Sequence, residues 1–138
     1  MKKIYRAALI YMIAGLLSGI YERELTKAMH FNGNSMLGIL HTHLLMLGMF
    51  FFLLLIVMEK SLQLTGNKLF STFYWIYNVG VIWTILFMAI HGTMTVIGAS
   101  VGPAISGLAG MGHIILTAGL ILFFIILKER LDALKNNQ

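Results

Sequence analysis

Four of the five histidines in this chain, His41, His43, His91 and His113, fall within long apolar runs. An imidazole in a hydrocarbon layer is costly, and side chains of this kind mark proton relays, ion paths or ligands for metals and haem iron. Read alone, the His-Thr-His at 41 to 43 suggests a two-ligand metal motif. On a helix, residues two apart lie about 200° apart, so the two rings face nearly opposite ways. His41 shares its face with Gly38, Leu45, Gly48 and Phe52, and the glycines there leave space for a large flat ligand. His43 shares a face with Leu40, Leu47, Phe50 and Leu54, which suits lipid, a neighbouring helix or a second ligand. His91 lines up with Gly80, Thr84, Phe87, Thr95 and Gly98, and His113 with Ser106, Gly110, Thr117 and Leu120. Both of these faces mix small and hydroxylated residues, as a helix interface in a membrane does.

The elements that must carry these rings are membrane spans. The chain has 138 residues, 59% hydrophobic and 11% charged, a composition that belongs to integral membrane proteins rather than soluble domains. Four stretches approach or exceed the roughly 20 helical residues that a bilayer core requires: about 4–21, 36–58, 71–97 and 106–127. The first is read as a span and not a signal peptide, because polar and small residues recur along it. Little chain is left over, so the fold class is all-α, one integral membrane domain over 1–138: a four-helix transmembrane bundle with up-down-up-down topology. Short connections then place the first helix beside the second and fourth, with the second and fourth diagonal. Gly15 and Gly19 form a Gly-x-x-x-Gly, which serves either intramolecular packing or a homo-oligomer contact.

Eight basic residues lie at the two termini and the second connection, against two in the first connection and none in the third. That bias predicts a multi-pass protein of the bacterial cytoplasmic membrane with both termini cytoplasmic. It also accounts for most of the net charge of +5, and basic residues scattered over short segments make no nucleic-acid surface. On this topology His41, His43, His91 and His113 all lie roughly 8–10 Å below the extracytoplasmic boundary, at 1.5 Å per helical residue. No histidine lies in the inner half of any span. Without cysteine there is no thiolate site, and all five acidic residues lie outside the spans, which leaves no buried general base and no catalytic set.

The layer therefore reads as a cofactor site. Haem b is the first expectation, ligated by His41 with His113 or His91, with Gly48 making room and with Arg23 and Lys27 either as interfacial anchors paired with Glu22 and Glu24 or as a clamp on the propionates. Copper is the alternative, since Met29, Met36, Met88, Met94 and Met111 lie near the same layer. The metal-ligand set in either case is drawn from His41, His91 and His113.

Two resemblances bear on this reading. Tyr21-Glu22-Arg23-Glu24-Leu25-Thr26-Lys27, with Leu40-His41-Thr42-His43-Leu44 and Leu47-Gly48-Met49, resembles an uncharacterised bacterial family of small four-span membrane proteins. More distantly, Leu40-His41-Thr42 is similar to the haem-ligating helix of subunit I in nitric-oxide reductases and haem-copper oxidases. That resemblance implies an axial-ligand role for His41. This chain has His43 where that helix carries asparagine, and it lacks the family's other spans and copper-ligand motif, so the oxidase or reductase activity does not carry over.

The function expected is a membrane b-type haem protein with one haem near the extracytoplasmic side, for electron exchange, sensing or haem handling. With both axial positions filled the iron does no substrate chemistry; with one open, oxygen or nitric oxide has access. Two further expectations stand beside it. One is an assembly factor handling copper or haem for a respiratory oxidase, and the other is a structural subunit whose histidines bond between helices.

Overall fold

The computed structural model describes residues 1–136. Four helices are long and apolar enough to cross a membrane: α1 (Lys2–Ala28), α2 (Leu37–Leu62), α3 (Phe70–Val96) and α4 (Pro103–Asn136). Among the described residues there is no strand. α1 and α4 run past the apolar stretches because Tyr21 to Lys27 and Lys128 to Asn136 hold good helix formers that need no hydrocarbon around them.

Glycine decides which helices meet. α3 and α4 lie along each other with backbone nearly touching backbone, so that a Cβ on Gly80 would sit 2.8 Å from the Leu116 amide nitrogen and one on Gly119 3.1 Å from Tyr77 Cα. α1 packs on α2 with side chains seated on the glycines, where a Cβ on Gly15 would lie 2.8 Å from a Leu45 methyl. Gly15 and Gly19 both face α2, so of the two uses open to this motif the fold employs the intramolecular one. α2 also meets α3, and its terminal-end portion meets α4, whereas α1 and α4 are not packed along one another. The diagonal arrangement is thus corrected: two glycine-packed hairpins, α1/α2 and α3/α4, join through α2.

An aromatic cluster makes that joint. Phe51 of α2 stacks on Tyr77 of α3 with ring centroids 4.3 Å apart and meets Phe123 of α4 edge-on at 5.4 Å. Phe52 stacks on Tyr11 of α1 at 5.7 Å. These rings sit toward the end of the bundle that carries both termini, where Asn67 donates to Glu129 at 2.6 Å and Tyr74 to the Lys3 carbonyl at 3.4 Å.

The middle of α2 is wound as a π-helix over Leu44–Phe50, between α-helical Leu37–His43 and Phe51–Leu62. The cause is legible in the burial pattern. Leu40, Leu44, Gly48 and Phe52 are all buried, at steps of four. Twelve residues of α-helix would carry such a stripe about 120° around the axis. The wider i→i+5 turn keeps it on one face, and π-turns of this sort gather at functional sites. The Tyr77 hydroxyl donates to the Leu47 carbonyl in this segment at 2.9 Å.

Candidate functional site

The half of α2 far from the termini brings His41 against α1: a Cβ on Gly19 would lie 3.8 Å from His41 Cβ and 3.9 Å from its Cγ. His41 Nδ1 is buried without a hydrogen-bond partner, and Nε2 makes only a long contact of 3.4 Å with Thr42 Oγ1. His91, on α3, likewise has a buried Nδ1 without a partner. Its ring lines a cleft of about 600 Å³ between α1, the first connection, the start of α2 and α3. Glu22, Thr26, Ser35, Met36 and Thr95 share the lining. Two half-buried imidazoles thus each hold a buried Nδ1 unused, a condition that costs on the order of 1–3 kcal/mol each unless a ligand or a proton partner meets it.

The other two histidines take different roles. His43 Nδ1 lies 2.9 Å from the Ile39 carbonyl of its own helix. A carbonyl only accepts, so Nδ1 carries the proton and Nε2 presents its lone pair. The ring is half-buried and bonds neither to the third helix nor across to a partner side chain. His113 is exposed, and so are Ser106, Gly110, Thr117 and Leu120. The face of α4 expected to look inward is therefore the outward one. The inward face runs through Gly112, Leu116, Gly119 and Phe123, because the backbone contacts with α3 fall there.

Three further placements bear on the expected site. Gly48 makes room for Tyr11, whose ring fills the space a ligand would need. Arg23 and Lys27 are exposed and do not line the cleft, and Arg23 pairs with Glu24 at 3.9 Å with both side chains mostly in solvent. Such a pair contributes about 0–1 kcal/mol. The charged residue that lines the cleft is Glu22. Among the described residues no group of three or more His, Asp or Glu side chains is placed to hold a metal ion. Depth is set by position along a helix and clustering by rotation about it, and rotation turns His113 away.

The match to known proteins is to a family model over residues 1–130, through all four helices. The chain belongs to DUF2871, a family of proteins of unknown function. No curated protein and no solved structure matches it. The resemblance to an uncharacterised family is thereby shown, in a chain with four apolar helices. In this DUF2871 chain the role of Glu22 was available from the sequence as a continuation of a stripe. Gly15, Gly19, Glu22 and Thr26 fall at spacings of four, three and four, so the residues that approach α2 lead directly into the cleft.

Proposed function

We propose that this DUF2871 chain is a b-type haem protein of the bacterial cytoplasmic membrane, with its termini in the cytoplasm and one haem in the extracytoplasmic half. The observation that carries this is the pair of buried, unpartnered Nδ1 atoms on His41 and His91. Each is a lone inward imidazole rather than a member of a three-ligand cage, which suits axial ligation of an iron already held by a macrocycle. The cleft at His91 has the size of small-molecule sites. α2 and α3 nearly touch where a Cβ on Gly92 would come 2.6 Å from the Leu37 amide nitrogen, so the guest lies in the cleft and not between those two helices. His91 lines the cleft and would hold the iron from there, and His41, which lies against Gly19 outside that lining, is the second candidate imidazole. Bound there, haem would supply one-electron exchange or diatomic-gas binding. No histidine lies in the inner half, so the chain serves local exchange, sensing or haem handling and not transfer across the bilayer.

A second reading is favoured by one specific observation: Glu22 and Met36 line the same cleft as His91. A carboxylate, a thioether and an imidazole suit a copper ion passing to a respiratory oxidase, and a carboxylate repels haem propionates. Absorption spectra of the detergent-purified protein, oxidised and dithionite-reduced, with elemental analysis for iron and copper, separate the two. A Soret band that His91→Ala removes and His113→Ala retains is the expected result. Copper without a Soret band selects the second reading, and neither metal nor Soret band after haem loading refutes both.

A further inference from the structure

A groove of about 680 Å³ runs between α1 and α3 on the lipid-facing side of the bundle. It exists because these two helices touch through long side chains and not backbones. Tyr74 reaches the Lys3 carbonyl at 3.4 Å, Tyr11 reaches Asn78 Oδ1 at 2.8 Å, and Tyr21 meets Thr93 at 3.0 Å. Between these bridges the floor is Ala7, Tyr11 and Leu44, with Ile10 and Ile82 standing exposed on the walls. Lys3 and Arg6 line its terminal end, both exposed, and neither is paired with a carboxylate among the described residues.

We infer that this groove is a binding site for an anionic phospholipid, with the phosphate at Lys3 and Arg6 and one acyl chain laid along the floor. Length supports the match: from Lys3 to Ala14 the groove follows α1 for about 16 Å, close to the roughly 15 Å of hydrocarbon in one leaflet. Charge selects the headgroup, since two unpaired cations stand where the apolar trough ends. Each cation near the surface is worth about a factor of five in binding an anionic lipid, roughly thirtyfold for the two. The cationic end of the groove lies at the opposite end of the bundle from the histidine cleft, and no residue lines both.

The test is native mass spectrometry of the delipidated full chain in neutral detergent, titrated with phosphatidylglycerol and phosphatidylcholine of identical acyl chains. The expected result is a preference for phosphatidylglycerol of roughly thirtyfold. It should fall to near unity in the Lys3→Gln, Arg6→Gln double variant, whose surface changes leave the thermal midpoint in place. Ala14→Leu, which fills the groove, should weaken both lipids alike. Equal retention of the two lipids by the unmodified chain overturns the inference, as does an undiminished preference in the double variant. A dimer that forms irrespective of lipid and excludes both also overturns it, because the groove's occupant is then a second copy.

Discussion

Removing the Tyr11 hydroxyl tests the joint between α1 and α3. In the structure that hydroxyl donates to Asn78 Oδ1 at 2.8 Å, while Asn78 Nδ2 donates to the Tyr74 carbonyl of its own helix at 2.7 Å. Tyr11 is 6% exposed and Asn78 8%, so water does not replace a lost partner. Tyr11→Phe therefore leaves a buried amide oxygen unsatisfied, a loss of about 1–3 kcal/mol by the general cost of an orphaned polar group. Interhelical hydrogen bonds measured in membranes average only about 0.6 kcal/mol, with a maximum near 1.7. The two ranges meet at about 1–1.7 kcal/mol, and this is the expected destabilisation. Asn78→Leu removes the acceptor as well, and the double variant should regain most of the loss because no polar atom of the pair is then stranded. Unfolding of the four proteins by a graded denaturing detergent, followed by circular dichroism, completes the double-mutant cycle. A coupling energy indistinguishable from zero would refute the bridge. A double variant as unstable as the sum of the singles would refute the argument that the stranded oxygen is what matters.

Two further outcomes follow from the packing. Gly80→Ala should destabilise by about 1–3 kcal/mol, since its methyl meets the backbone of Leu116, which cannot yield. Gly110→Ala, with nothing within 4 Å of the added Cβ, should be neutral or gain up to about 1 kcal/mol in helix propensity; equal thermal midpoints for the two variants would contradict the α3/α4 interface. His30 stands at φ 49° just past α1, where its amide donates to Lys27 and that of Phe31 to Thr26 in a Schellman turn that favours glycine. His30→Gly should raise stability by about 1 kcal/mol, and a fall in the unfolding midpoint would contradict it.

The existence of four spanning helices was legible in the sequence, because a helix crosses hydrocarbon with about 20 apolar residues and satisfies its own backbone there, and the chain holds four such runs. The different surroundings of His41, against Gly19 of α1, and His43, bonded to its own helix, also accord with helical rotation. Rotation failed for α4: Ser106, Gly110, His113 and Thr117 look like an interior face by composition, yet Gly112, Leu116 and Gly119 form the real one. In a membrane both faces of such a helix are apolar or small, so hydrophobicity does not separate inside from outside as it does in water. The glycine at 48 was recognised as space, but whether Tyr11 or a ligand fills that space depends on a residue 37 positions away.

By itself, then, the sequence determined the class of the fold, the number of spans, the position of each histidine along its span and the uneven placement of basic charge, since all of these depend on distance along the chain and on transfer into lipid. The tertiary structure alone decided the pairing into α1/α2 and α3/α4, the π-helical turn, the orphaned nitrogens of His41 and His91, and the cleft where Glu22 stands in place of Arg23. These depend on how closely two backbones approach, and that is set jointly by glycines and large side chains on different helices, a property no single stretch of chain contains.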